Sequence, residues 1–254
     1  LPLVISAPHG GTLTPSEIAD RTYGTTVRDL NTDLLADEVA DAFEARTGER
    51  PHLIVARIHR QKVDLNREIV EAAQGDGLAE QAWYEFQAMI DHASQQVEAQ
   101  HGSGFYLDLH GHGHEIQRLE LGYLLSAGDL ALSDVELGQE AHRNSSSIRA
   151  LAADADDFLE LVRGATSLGS RFEALGIPAV PSQSQPGPGA DPYFSGGYNT
   201  ARHGSRDGGT VSGFQIEAHR SVRDNDPGRA ALAAAIAEVL ESVLVERYGW
   251  TPGG

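Results

Sequence analysis

Short apolar runs, separated by polar and glycine-rich stretches, dominate the pattern of this sequence. Runs of about four to eight residues bounded by turn-forming residues are typical of buried strands. The chain has four such runs, Leu3–Ala7, Leu53–Ile58, Phe105–Leu109 and Val211–Glu217. A fifth run, Leu119–Leu125, follows the third after a short connection. Because a short connection cannot carry the chain across a sheet, it favours an antiparallel partner.

Helical periodicity fills the segments between these runs. Apolar side chains recur every three or four residues over 34–48, 78–100, 148–162, 168–175 and 226–248. Asp226 is the predicted cap of the last helix, with Pro227 at its first position. Strands that alternate with helices predict an α/β fold, and the length suits a single domain over residues 1–254.

Histidine and glycine follow two of the predicted strands. Leu3–Ala7 runs into Pro8-His9-Gly10-Gly11, and Phe105–Leu109 runs into His110-Gly111-His112-Gly113-His114. Glycine allows backbone angles that a strand cannot hold, so each strand is predicted to end in a loop there. Ligands of open α/β sheets collect at the carboxyl ends of strands. A single histidine in such a loop could be structural, but the recurrence favours a metal or catalytic site.

Charged residues follow the other strands. Glu217 ends the late strand, and Asp29 stands at or just before the first helix, where an N-cap is the structural alternative. Arg60 and Arg67 come after the second strand. Their planar guanidinium groups could grip a substrate carboxylate with two hydrogen bonds, or pair with the many surface acids.

Composition narrows the chemistry. The formal net charge is −18 and Lys62 is the only lysine, so a nucleic-acid partner, which needs a basic surface, is not expected. The chain has no cysteine, so a metal would be held by histidines and carboxylates. No apolar run approaches the ~20 residues that cross a bilayer. We therefore expect no membrane partner and a soluble protein, cytoplasmic or secreted after removal of a leader.

Two histidines and one carboxylate with an open fourth position form the ligand set of a catalytic zinc ion, and His9, His110 and either Asp29 or Glu217 could supply it. Such an ion lowers the pKa of bound water to ~7. A second carboxylate, outside the coordination shell, could take the proton of the water and pass it to a leaving amine. The residues thus favour a hydrolase with one Zn²⁺ ion.

Six ordered motifs carry a resemblance to a known family. They are Pro8-His9-Gly10-Gly11, Asp29 to Asp33, Arg60 with Asp64-Leu65-Asn66-Arg67, Asp108-Leu109-His110-Gly111, Gly196-Gly197-Tyr198 through Arg202-His203-Gly204, and Gln215-Ile216-Glu217 followed by Arg220. In these motifs the chain resembles the N-formylglutamate amidohydrolases, zinc enzymes with the fold of the metallocarboxypeptidases. The resemblance implies a three-layer α/β/α domain with a mixed, mostly parallel central sheet.

The resemblance also implies a ligand set. His9 and His110 would be zinc ligands, completed by a carboxylate that follows His9 in the chain. Metallocarboxypeptidases have that carboxylate three residues after the first histidine, but this chain has Thr12 there. Asp29 is the predicted replacement, with Asp33 as the alternative.

Substrate contacts and catalysis are implied in the same way. Asn66 and Arg67 match the pair that holds the substrate carboxylate, with Arg60 as a helper. Glu217 matches the general base. Zinc, with Arg202 or an arginine of the 60–67 segment, could stabilise charge on the carbonyl oxygen. His112 and His114 have no assigned role, although His112 could orient a ligand or bind product.

The expected activity is hydrolysis of an amide next to a free carboxylate, in a small anionic N-formyl or N-acyl amino acid or a peptide. A zinc carboxypeptidase or other peptide or amide hydrolase is the related alternative, and a wide cleft would favour it. From another class, the chain could be a non-catalytic metal- or ligand-binding protein on the same scaffold.

Overall fold

A six-stranded mixed sheet runs through the computed structural model, which describes residues 1–253. Its strands are β1 Leu3–Ala7, β2 His52–Val55, β3 Gly104–His112, β4 Leu119–Gly122, β5 Ala179–Val180 and β6 Val211–His219, in the order β2-β1-β3-β6-β4-β5. The first four strands in this order are parallel. β4 runs antiparallel to β6, as the short connection predicted, and β5 is parallel to β4.

Helices cover both faces of the sheet. They are α1 Thr32–Thr47, α2 Ile69–Ala73, α3 Gly77–His101, α4 Ala127–Leu130, α5 Asp134–Leu137, α6 Glu140–Ser145, α7 Ala155–Arg163, α8 Leu168–Ala174, α9 Tyr198–His203, α10 Arg220–Arg223 and α11 Asp226–Tyr248, with a 3-10 turn at Ser205–Asp207. Within residues 1–253, no helix is long and apolar enough to cross a membrane. The expected α/β/α layers with a mixed, mostly parallel sheet are confirmed.

The two sheet faces bury different helices because strand side chains alternate. On one face Phe105, Leu107 and Leu109 of β3 pack in the core that contains α1 and α11. On the other, Tyr106 packs in a second core with residues of α3, among them Trp83. The period-two pattern of the apolar runs therefore sets which helices each strand can contact.

The face that carries α3 turns polar towards the carboxyl ends of the parallel strands. Past Tyr106, β3 continues on this face with Asp108, His110 and His112, all buried. β6 places Gln215, Glu217 and His219 on the same face, since Phe214 and Ile216 lie in the opposite core. One face of two adjacent strands thus carries most of the chemistry that the sequence predicted.

Both strands extend further than the sequence predicted. β3 does not end before His110, and β6 does not end at Glu217, because their parallel pairing continues to His112 and His219. Gly111 lies within this strand, paired with Ala218. A Cβ at this position would lie 2.2 Å from Nε of the buried Arg223. The glycine makes room for a side chain and does not end the strand.

Several other boundaries also differ. β2 ends at Val55, because beyond it the chain leaves the sheet and Arg57 and His59 bond to Leu13 instead. β4 ends at Gly122, and the segment predicted as a helix over 148–162 is helical only from Ala155. The last helix is capped by the Asn225 side chain and not by Asp226, which is its first residue. The strand β5 was not predicted, because two residues are too few to show the apolar pattern of a strand.

Candidate metal centre and active site

Two buried histidines and the partly buried Asp29, from separate segments of the chain, meet at the carboxyl end of the sheet. His9 follows β1, Asp29 precedes α1 and His110 lies in β3, and their ligand atoms fall within 4.8 Å of one another. Asp29 Oδ2 lies 3.3 Å from His9 Nδ1 and 3.2 Å from His110 Nδ1. Asp33, the alternative carboxylate, lies in the first turn of α1 beside Gly10 and is not in this group.

Each of these histidines has a second buried carboxylate at its other ring nitrogen. His9 Nε2 lies 2.7 Å from Asp64 Oδ1, and His110 Nε2 lies 2.8 Å from Asp108 Oδ2. With a metal bound, a proton held on Nε2 by these carboxylates would leave the Nδ1 lone pairs free to ligate the ion beside Asp29. This is the arrangement that orients histidine for metal binding.

The spacing of the donor atoms also suits zinc. Tetrahedral zinc with bonds of about 2.0–2.1 Å places its ligand atoms about 3.3 Å apart. The separations of 3.2 and 3.3 Å from Asp29 to the two histidines agree with this. The residues present therefore fit a Zn²⁺ ion held by His9, Asp29 and His110.

Ionic pairing within the group offsets the cost of burial. Burial alone would raise the pKa of Asp29, but His9 and His110 outweigh it and hold the pKa well below its usual range. Burial would likewise lower the pKa of His110, but Asp108 and Asp29 raise it well above the ordinary value. Asp29 therefore stays ionised despite its burial, as a metal ligand must be.

Glu217 lies beside this group. It is the register partner of His110 across β3 and β6, and its Oε1 accepts a hydrogen bond of 3.1 Å from Gln215. Burial, together with Asp29, Glu120 and Asp108, raises the pKa of Glu217 to about 8, although His110 opposes the shift. A carboxyl with a pKa near neutrality can both accept and release a proton.

A cavity of about 200 Å³ opens onto these residues. His9, Asp29, His110 and Glu217 line its inner part. Arg60, Asn66, Arg67, Phe194 and the glycine pair Gly196–Gly197 form the rest of the wall, with Thr25, Gly111 and Gln215. The structure therefore brings together all of the predicted site residues except Arg202.

The three arginines predicted to contact substrate differ in their exposure and in the acidic side chains with which they already pair. Arg60 is buried, with Nε 2.8 Å from Asp64 and Nη1 3.5 Å from Asp29. Arg67 keeps one guanidinium nitrogen on the Asn66 carbonyl and remains about one-third exposed at the pocket. Arg202 lies outside the pocket wall, where it pairs with Asp91 at 3.0 Å.

Asn66 joins the pocket wall to the centre. Its Nδ2 lies 3.2 Å from His110 Nε2, and its Oδ1 accepts the Asn199 N–H at 2.7 Å. A Cβ on Gly197 would lie 2.4 Å from Asn66 Nδ2. The glycine is thus required for the loop before α9 to approach the site so closely.

Sequence reasoning gave no role to four residues that support the centre: Asp64, Asp108, Gln215 and Arg223. Asp108 and Gln215 each stand two residues before a predicted site residue on a strand, so alternation could have placed them on the same face. The role of Asp64 as a partner of His9 has no local signal in the sequence beyond the place of Asp64 in one of the six motifs. Arg223 packs under Gly111 and bonds to the Leu30 and Ala218 carbonyls, which only the tertiary structure reveals.

Comparison with known proteins agrees with the motifs. The sequence model of a family described as N-formylglutamate amidohydrolase matches residues 1–76, which contain His9, Asp29, Arg60, Asn66 and Arg67. The chain resembles this family, as predicted. No curated protein matches the sequence significantly.

Two solved structures share the architecture. The crystal structure of N-formylglutamate amidohydrolase from Ralstonia eutropha is 15% identical, with a TM-score of 0.62 over 98% of this chain and 95% of that one. A gene product from Agrobacterium tumefaciens is 12% identical, with a TM-score of 0.58 over 96% and 89%. At these identities the likeness shows the fold, which extends over nearly the whole chain.

Proposed function

We propose that this protein is a zinc-dependent amidohydrolase that cleaves an amide next to a free carboxylate, such as an N-formyl or N-acyl amino acid. The observation that carries the proposal is the position of Glu217, a buried carboxyl that is the register partner of His110, beside the group formed by His9, Asp29 and His110. The match of residues 1–76 to the N-formylglutamate amidohydrolase family supports it.

His9, Asp29 and His110 would hold the metal. Zinc bound there supplies a Lewis acid for the carbonyl and lowers the pKa of water. Glu217 accepts a proton from the attacking water and passes it to the leaving nitrogen. The carbon–nitrogen bond breaks, and the products are a free acid and a free amine. Asp64 and Asp108 keep the two histidines in the required tautomer.

Arg67 is our choice for the substrate carboxylate, because its guanidinium group lines the pocket and its acidic partner, Glu71 at 3.4 Å, is itself partly exposed. Asn66 supplies an amide beside it. Arg60 is committed to Asp64 and Asp29, so its contribution is to hold these carboxylates in place. Arg202 would act only from outside the pocket wall.

Pocket size favours a small substrate over a peptide. A cavity of about 200 Å³, lined in part by Phe194 and Gly196–Gly197, has room for one acylated amino acid. A carboxypeptidase needs a cleft that admits a chain of several residues. Turnover of N-formyl and N-acetyl amino acids, with no release of amino acids from longer peptides, is therefore expected.

The test removes the proposed general base, Glu217, and keeps the three proposed metal ligands. Glu217→Gln should retain one equivalent of zinc and lose about 10²–10⁴-fold in kcat, since removal of a general base typically costs that much. The assay measures free amine from N-formyl, N-acetyl and dipeptide substrates, with metal content determined in parallel. Glu85→Gln, on the exposed face of α3, is the matched control. Full turnover by Glu217→Gln with zinc bound would falsify the mechanism.

A further inference from the structure

A second group of metal-ligating side chains lies next to the first. His112 at the end of β3, His114 two residues beyond it and Glu120 in β4 place one ligand atom each within 4.8 Å of one another. They share no residue with the group of His9, Asp29 and His110. We propose that His112, His114 and Glu120 form a second metal site, for Zn²⁺ or a similar divalent transition-metal ion.

His112 is oriented for this role. Its Nε2 donates a hydrogen bond of 2.9 Å to the Arg118 carbonyl, which leaves the Nδ1 lone pair on the side of Glu120. A backbone carbonyl at the outer ring nitrogen is one of the usual partners of a metal-binding histidine. At present Nδ1 accepts the His114 N–H at 3.2 Å, a long bond that a metal ion would replace.

Glu120 has no permanent cation to neutralise it. The side chain is only 1% exposed, yet no lysine or arginine of residues 1–253 comes within ion-pair distance. Oε1 lies 2.8 Å from His114 Nδ1 and 3.8 Å from His112 Nδ1. A buried carboxylate needs a cation or a metal partner, and the two histidines supply further ligands for a metal ion.

The spacing and chemical type of the three ligand atoms indicate which metal ion this site would bind. The separations of 2.8 and 3.8 Å bracket the roughly 3.3 Å expected of tetrahedral ligands. Two imidazoles and one carboxylate favour Zn²⁺ or Co²⁺ over Mg²⁺ or Ca²⁺. His114 is partly exposed, so the ion has a path from solvent and water can complete its coordination.

The second site would also hold one wall of the pocket. Glu120 Oε2 accepts the Phe194 N–H at 2.8 Å, and the ring of His114 stacks on the Phe194 ring with centroids 4.8 Å apart. Phe194 lines the cavity beside Glu217. A cation on Glu120 and His114 therefore fixes the loop that carries this side chain.

The experiment counts bound metal and does not depend on the amidohydrolase proposal. The full chain is stripped with a chelator, loaded with Zn²⁺ or Co²⁺, desalted and analysed for metal by mass spectrometry. The wild type should bind two equivalents, His114→Ala one, His9→Ala one, and the double variant none. His142→Ala, which removes a histidine of α6 far along the chain from both groups, should bind two.

Glu120→Gln is the second variant, since its amide oxygen can still accept the Phe194 N–H while the charge is lost. It should also bind one equivalent, with an unchanged circular dichroism spectrum. A wild-type content of one equivalent that His114→Ala or Glu120→Gln keeps, two equivalents in folded His114→Ala or Glu120→Gln, or none in His9→Ala would overturn the proposal. A wild-type content of one equivalent that His9→Ala keeps and His114→Ala loses would contradict the first site alone.

Discussion

At the level of single residues, the candidate centre is organised by pairs of histidine and carboxylate. His9 and His110 each place one ring nitrogen on a buried carboxylate and the other towards Asp29. Asp108 is held in turn by Ser6, whose Oγ donates a hydrogen bond of 2.6 Å. Such outer carboxylates set the tautomer of the ligand, so their loss should affect metal binding before it affects the fold.

Asp108→Asn should weaken binding of Zn²⁺ by about 10–100-fold, because the neutral amide no longer favours the proton on His110 Nε2. Competition with a chromophoric chelator measures the affinity. Asp91→Asn is the matched control, since Asp91 also pairs with a buried histidine, His203, at 3.1 Å but lies away from the centre. Equal zinc affinity for Asp108→Asn and the wild type would contradict the role given to Asp108.

At the level of elements, the site depends on close approach between the sheet and the loop before α9. Gly197 has an extended backbone that any residue can adopt, with φ −112°. Its lack of a side chain matters only because Asn66 Nδ2 would lie 2.4 Å from a Cβ. The motif glycines of the sequence are therefore explained by contact across elements, and not by turns alone.

Gly197→Ala should push the loop away from Asn66 and lower kcat/KM by about 10- to 100-fold, since small misplacements in a site are costly. Overpacking should also cost about 1–3 kcal/mol of unfolding free energy. Kinetics on an N-formyl amino acid and thermal unfolding measure the two effects. Gly77→Ala, with no atom within 4 Å of the added Cβ, is the control and should change neither. Wild-type kinetics for Gly197→Ala would show that the loop does not set the site.

At the level of the whole molecule, negative charge is in large excess. The net charge is −18, while many arginines are already used in ion pairs such as Arg46 with Glu241 and Arg171 with Glu246. Like charges on the surface repel one another and destabilise the compact state. Salt screens this repulsion, and it also screens the exposed ion pairs, which each contribute little.

Raising NaCl from about 10 to about 150 mM at pH 7 should therefore increase Tm, because the Debye length falls from about 30 to about 8 Å. Scanning calorimetry at several salt concentrations measures the change. The same series on Glu85→Arg, which lowers the negative charge on the exposed face of α3 at a residue that makes no ion pair within residues 1–253, should give a smaller increase. A Tm that falls with salt would mean that the ion pairs outweigh the repulsion.

Alternation and periodicity in the sequence determined the fold class and much of the site. The apolar runs predicted four of the six strands and the antiparallel β4, and the residues after them predicted that His9, Asp29, His110 and Glu217 would meet. These features follow from local patterns, since the side of a strand on which a residue lies depends on its position alone.

Only the tertiary structure decided how the strands are ordered and which side chains touch. β3 and β6 pair although about a hundred residues separate them, and this pairing carries both strands past their predicted ends. Asp64 at His9, Arg60 enclosed by acids, and Glu120 beside His112 and His114 are likewise contacts between distant segments. Local sequence cannot specify them, because they depend on register and packing across the whole sheet.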